Sequence, residues 1–216
     1  MMEYGKRVRA IEEQIDSIGP WFWPATDVGC WNIIKSEWPH LKQMWGKHVK
    51  KYDVCIQAGG ACGMYPRLLA ETFKEIYTFE PDPLSFHCLV LNCQLDNVYK
   101  YHAAIGDSHD IVKLHRKNLQ NVGENVISDK GDYSVPTLMV DDLGLRTCDF
   151  IQLDVETYEL NALKGAHLTI KRCNPVISVE NGNDDILKFL QTLGFYKHVD
   201  SFAVASDRSD DVYAVV

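Results

Sequence analysis

The chain has 216 residues, of which 46% are hydrophobic and 24% charged, enough for one globular domain with a full core. A formal net charge of −8 and a pI near 5.4 argue against a dedicated polyanion binder, which would carry a basic stripe, so nucleic acid is not the expected partner. Seven scattered cysteines without a Cys-x-x-Cys pair exclude a zinc ribbon and a secreted disulfide framework, and fit free thiols in a reducing compartment.

The N-terminus, MMEYGKRVRAIEEQ, is too charged for a signal peptide, and no apolar run reaches membrane-span length. A cytoplasmic protein with no membrane contact is the expectation. All five tryptophans fall in residues 1–50. Trp31, Trp38 and Trp45 are seven apart, with Ile34 and Leu41 on the same side, which predicts a helical stripe packed on the core. WFWP (Trp21 to Pro24) does not fit a regular helix turn and reads either as core or as a lid over a pocket. Residues 1–50 are thus expected to form a helical, Trp-rich extension or lid, and residues 51–216 the main domain. Lys42, Lys47, Lys50 and Lys51 with His48 make one modest positive cluster, most simply a solvated helix face.

From residue 52 onward, strand-like and helix-like segments alternate. Residues 52–58, 75–80, 98–105, 148–155 and 175–180 are short and rich in Val, Ile, Phe, Tyr and Cys. Between most of them lie helical segments at 64–73, 83–95 and 158–172, and a further one runs from Asn183 to Gly194 with an N-cap, an apolar face of Ile186, Leu187, Leu190 and Leu193, and a terminal glycine. Residues 111–142 read as short β pieces with a mobile loop. The chain then closes with two strand candidates, FYKHVDSFAVAS and DVYAVV, which should pair as a hairpin near a sheet edge. This is an α/β architecture: a Rossmann-like, doubly wound, mostly parallel sheet ending in a β-hairpin. That ending is typical of class I methyltransferases rather than of dinucleotide dehydrogenases.

Three places carry chemistry. In YDVCIQAGGACGMYP a strand runs into Gly59, Gly60, Ala61 and Gly63, small residues that let backbone approach a ligand. The spacing is not a dinucleotide fingerprint, and no Gly-Lys-Ser/Thr follows. In TFEPDP, Glu80 ends the next strand and is placed to accept both hydrogen bonds of a ribose diol. In IQLDVETYELNALKG, Asp154 ends a later strand on the side where open α/β sheets bind ligands, and a bare carboxylate there needs a partner. Glu156 and Glu159 follow; Glu159 also suits the start of a helix.

These segments together, with IQAGGACGMYPRLLA, YTFEPDPLSFHCLVLNCQLDN, YHAAIGDS, VPTLMVDDLGLRTCDFIQLDVETYELNALKGA and NPVISVE in this order, resemble the FkbM family of S-adenosylmethionine-dependent methyltransferases. The resemblance covers roughly Tyr52 to Glu180. It implies a class I methyltransferase fold, S-adenosyl-L-methionine as cofactor, and O-methylation of a sugar or other small hydroxylated acceptor. Carried over by position, Gln57, Ala58, Gly59 and Gly63 would cradle the methionine part. Glu80 would bind the ribose, with Pro81 and Asp82 beside the adenosine. His102, Ala103 and Ala104 would border the adenine, and Asp154 would face the methionine or the acceptor. The family usually has an acid where Gln57 stands, an Asn where Ala61 stands and a Gly where Thr157 stands.

For a hydroxyl acceptor, a positioned carboxylate or histidine takes the proton, and Glu156, then Asp154, then His102 are the candidates. Asp154 with Glu180 and Asn181 would offer oxygens to Mg²⁺ in a metal-dependent version, whereas the resemblance implies no metal. The competing readings are a methyltransferase acting on protein or nucleic acid, and a non-catalytic binding module on the same fold.

Overall fold

Two short strands, β1 (Val8–Ile11) and β2 (Trp21–Pro24), pair antiparallel at the start of the chain, so this part of the extension is β-structure rather than helix. The computed structural model describes residues 7–11, 19–29, 31, 45–205 and 208–216; Trp38, Ile34, Leu41 and Lys42 lie outside them. WFWP becomes a strand because alternate residues of an extended chain point to one side, which drives Trp21 and Trp23 inward together, both 0% exposed. Their rings meet at 6.2 Å, and Trp31 packs against both. Asn92 fastens this strand to the domain: its amide accepts from Phe22 N–H at 2.7 Å and donates to Phe22 C=O and Cys62 C=O. The Arg67 guanidinium lies 4.2 Å over the Trp21 ring and donates to Gly19 C=O.

The main sheet has seven strands. β3 (Val54–Ala58), β4 (Glu75–Phe79), β5 (Val98–Tyr101), β10 (Phe150–Leu153) and β11 (Val176–Glu180) run parallel. β12 (Tyr196–Ala205) and β13 (Arg208–Val215) form the expected hairpin, with β13 antiparallel to β11 and β12 at the edge, in the order β12-β13-β11-β10-β3-β4-β5. Both faces are covered, so β3 and β10 are buried at every position, as a central parallel strand requires. One face packs on Trp21, Trp23, Trp31, Trp45, Leu68, Leu69 and Phe73; the other packs on Leu163, Ile170, Ile186 and Leu190.

The α-helices lying wholly within the described residues are α1 (Met64–Leu69), α2 (Pro83–Asn92), α3 (Glu159–Lys164), α4 (His167–Cys173) and α5 (Asp184–Leu193). The single helix expected over 158–172 is broken at Gly165, where the backbone passes so near Gly106 that a Cβ would stand 1.8 Å from its carbonyl oxygen. Asn183 caps α5 by accepting from Asp185 and Ile186 N–H. The segment 98–105 also divides: β6 (Ala104–Ile105) leaves the main sheet and joins β7 (Ile111–Arg116), β8 (Asn125–Ile127) and β9 (Tyr133–Leu138) in a small four-stranded sheet, order β6-β9-β7-β8. Asp27, fully buried, accepts from Trp23 Nε1, Trp31 N–H and Val122 N–H, tying the extension to the loop before β8. Lys47 and His48 both reach Asp200 on the terminal hairpin, at 2.6 and 2.9 Å.

Candidate active site

The strand order reverses between β3 and β10, and the carboxyl ends of strands on either side of such a point make a crevice. Here those ends present Ala58–Gly59, Glu80, Asp154 and Glu180. Gly59 has φ +79°, and a Cβ on it would fall 1.8 Å from Asp154 C=O. The glycine therefore lets the ends of β3 and β10 close up and brings Asp154 beside the loop. The crevice opens into a cleft of about 850 Å³ counted out to its solvent-facing mouth. Its floor is the β3 loop, Glu80 and Asp154; its roof includes Trp23 from the extension and Leu114, Asn125 and Ile127 from the small sheet.

Glu80 is 6% exposed and receives two backbone N–H donors at 2.7 Å, Ala61 on Oε2 and Asp82 on Oε1. Burial, reinforced by the neighbouring Asp82 charge, pushes its carboxyl up to about 8. It is held in place by the loop it faces. Asp82 itself is consumed structurally: Oδ1 caps α2 through Leu84 and Ser85 N–H, and Oδ2 accepts from Arg116 Nε.

At the other end of the cleft lies an acidic cluster. Asp154, Glu156 and Glu180 each offer an oxygen, all within 4.8 Å of one another. Burial and then the Glu180 charge hold Asp154 well above the usual carboxylate range. The same two causes push Glu156 to about 7. Asp210 joins them because β13 sets it opposite Glu180 in register; it is 2% exposed and pushed to about 7, again by burial and then Glu180. The cation bonded to this group is Arg208, at 3.4 Å from Glu180 Oε1. Glu156 and Thr157 sit at φ 51° and 77°, and Glu159 steadies this turn by accepting from Val155 and Thr157 N–H.

The residues expected from sequence divide accordingly. Ala58, Gly59, Glu80, Pro81, Ala104, Asp154 and Glu156 line the cleft. Gln57 lies beneath it: its amide is fully buried, donating to Gln152 Oε1, Ala58 C=O and Gly59 C=O and accepting from Thr78. Gly63 starts α1 and packs on Cys93, and Ala103 is buried. His102 stacks on Phe86 at 4.8 Å and bonds Pro81 C=O on the outer rim, away from the acids. Of the oxygens considered for Mg²⁺, those of Asp154 and Glu180 come together, while Asn181 Oδ1 accepts from Ser209 N–H. Trp23, from the WFWP segment read as core or lid, does line the cleft. Sequence reading missed Asp210, hidden in what reads as a polar turn, and Asn125, which enters the site from a segment with no strand-end signature.

Comparison with known proteins bears on the family and the fold. Residues 64–196, well over half the chain, match the methyltransferase FkbM domain. The chain belongs to the FkbM methyltransferase family. No curated protein sequence matches it. Among solved structures, the FkbM methyltransferase from Methylobacillus flagellatus KT superposes with a TM-score of 0.58 at 14% identity, covering 84% of this chain and 52% of that one. aTrm5, in complex with tRNALeu, gives 0.51 at 12% identity over 97% of this chain and 53% of that one. M. jannaschii TYW2, in complex with AdoMet, gives 0.48 at 11% identity over 97% and 87%. This FkbM-family chain spans about half the length of the first two, whose low identities speak to the fold alone, that of class I S-adenosylmethionine-dependent methyltransferases.

The cleft suits that cofactor. Among the described residues, the charged ones that line it are Glu80, Asp154 and Glu156, with no Lys, Arg or His. A buried carboxylate at one end offers acceptors to a ribose diol, and a cluster of carboxylates short of cations at the other suits a ligand carrying ammonium and sulfonium charge. Among the described residues, no helix is long and apolar enough to cross a membrane.

Proposed function

We propose that this FkbM-family protein is an S-adenosylmethionine-dependent O-methyltransferase acting on a hydroxyl of a sugar, glycan or other small hydroxylated molecule. The observation that carries the reading is the lining of the cleft: among the described residues it holds three acids and no base, with two of the acids at the reacting end. Such a lining attracts a cationic cofactor and repels a polyanionic acceptor. Of the basic cluster near residue 48, Lys47 and His48 are paired with Asp200, and none of Lys47, His48, Lys50 and Lys51 lines the cleft.

The cofactor supplies an electrophilic methyl group. Glu80 would accept from the ribose hydroxyls, a task for which its two oxygens are already fixed by Ala61 and Asp82 N–H. Asp154, at the end of β10, orients the acceptor hydroxyl or the cofactor amine. Glu156 takes the hydroxyl proton at a carboxylate oxygen; at about 7 its carboxyl is matched to proton transfer near neutral pH. Trp23, Tyr65 and Tyr158 line the same cleft and exclude water from the reacting atoms. The chain's main task is alignment of the two reactants.

Thermal-shift and calorimetric titrations with S-adenosylmethionine, S-adenosylhomocysteine and NAD test the cofactor, and a panel of hydroxylated acceptors with labelled methyl tests the reaction. Binding of neither sulfur compound overturns the reading. Methyl transfer to RNA or protein in preference to every small hydroxylated acceptor replaces the substrate class.

A further inference from the structure

We infer that Asn125, contributed by the small four-stranded sheet, is the residue that reads the adenine edge of the cofactor; the inference rests on the cleft being the S-adenosylmethionine site. Asn125 lines the cleft, yet both its Nδ2 and Oδ1 are buried and lack any hydrogen-bond partner. A buried side-chain amide with neither donor nor acceptor satisfied is destabilising, and proteins seldom keep one without a use. Being in the cleft wall, its missing partner is a ligand that presents a donor and an acceptor side by side.

The surroundings identify which part of the ligand that is. Asn125 stands opposite Arg116 in the β7–β8 register, and Arg116 is bonded to Asp82, two residues beyond Glu80. The amide is thereby placed over the Glu80 end of the cleft, beside the ribose position, and not among the acids of the other end. Around it the lining is apolar: Pro81, Ala104, Ile105, Leu114 and Ile127. A flat slot of aliphatic side chains with one amide at its edge suits a purine ring. The carboxamide offers N–H and C=O in the side-by-side geometry that pairs an asparagine with the 6-amino group and a ring nitrogen of adenine. Arg116 is braced from below by stacking 4.3 Å over Tyr133, so the strand carrying Asn125 has a fixed neighbour.

The experiment compares binding of S-adenosylhomocysteine with binding of its analogue whose purine lacks the 6-amino group, by calorimetry, in the wild-type chain and in Asn125→Leu and Asn125→Ala. In the wild type, loss of the amino group should weaken binding about tenfold. Asn125→Leu should bind S-adenosylhomocysteine about tenfold more weakly and no longer distinguish the two compounds. Because leucine relieves the orphaned amide, the same variant should unfold at a higher temperature without ligand, by about 2–4 °C. Lower affinity together with higher stability separates a ligand contact from a merely structural residue. If S-adenosylhomocysteine binds both variants as it binds the wild type, or if Asn125→Leu still discriminates, the assignment is overturned while the cofactor reading stands. If the wild type binds neither compound, the cofactor reading falls and the assignment with it.

Discussion

The Gln57 side chain donates to Gln152 Oε1 at 3.0 Å across the junction of β3 and β10, just below the glycine loop that floors the cleft. In register, these two continue to Thr78 on β4 and Ser178 on β11, so a buried polar row crosses the sheet just under its carboxyl end. Gln57 also donates to Gly59 C=O, which couples the row to the loop. The residue in the position where the family usually has an acid is a brace for the loop.

Removing that brace leaves Thr78 and Gln152 buried without their partner. Gln57→Ala is therefore expected to cost about 2–4 kcal/mol, measured as a lower urea midpoint at constant slope. Gln57→Glu loses the donor to both Gln152 and Gly59 and should be destabilised comparably. It should gain no affinity for S-adenosylmethionine, because position 57 does not line the cleft. Tighter cofactor binding by Gln57→Glu would show that the side chain reaches the ligand after all.

Thr157 offers a second measurement. At φ 77° a β-branched residue occupies a backbone region that glycine prefers, at a cost of about 1–3 kcal/mol. Its side chain is exposed, so little packing is lost on removal. Thr157→Gly should relieve the strain, partly offset by about 0.5–1 kcal/mol from the freer unfolded chain. The melting temperature should rise by roughly 1–4 °C. A fall would mean that the Thr157 side chain contributes more than its strain.

Much of this was legible in the sequence, and what was not has a common cause. Parallel strands announce themselves by apolar runs, and strand-end residues such as Glu80 and Asp154 can be placed because the run stops at them. The terminal hairpin was readable because no helix-forming stretch separates its strands. By contrast, Gln57 sits in an apolar run and looks like a loop residue until pairing shows Gln152 and Thr78 waiting for it. Asp210 becomes part of the site through its register with Glu180, a contact spanning thirty positions of chain that no local pattern records. WFWP was legible as something other than a helix turn, and the spacing of two between Trp21 and Trp23 was the strand signal within it.

Asp210 makes stability depend on pH in an unusual sense. Its carboxyl is raised from 3.8 to about 7, by burial and then by Glu180. The folded state therefore binds the proton more tightly than the unfolded one, and the stability this contributes is full below about 4 and lost as pH rises through about 7. Glu80, raised to about 8, acts in the same direction. Asp200, lowered to about 2 by Lys47 and His48, acts oppositely, but only below about pH 4. Between pH 5 and 8.5 the melting temperature should thus fall as pH rises. Asp210→Asn, which keeps an acceptor for the Tyr65 hydroxyl that bonds this side chain, should flatten the slope and raise stability at pH 8.5. A wild-type melting temperature that climbs over this range, or a variant with an unchanged slope, would contradict the assignment.

Glu156 carries the proton in the proposed reaction, and its test is kinetic. A general base acts in its ionised form, and with the carboxyl pushed to about 7 by burial and Glu180, half of the protein is competent at that pH. Turnover should rise with pH through about 7 and level off above it. Glu156→Gln preserves shape but removes the proton acceptor, so kcat should drop by about 10²–10⁴ and the ascending limb should vanish. Affinity for S-adenosylhomocysteine, measured directly, should change little. Glu80→Ala should do the reverse, abolishing the cofactor's thermal stabilisation, because it acts at the ribose end. Should Glu156→Gln keep both its rate and its limb, the proton passes to Asp154, and Asp154→Asn becomes the variant in which the limb disappears.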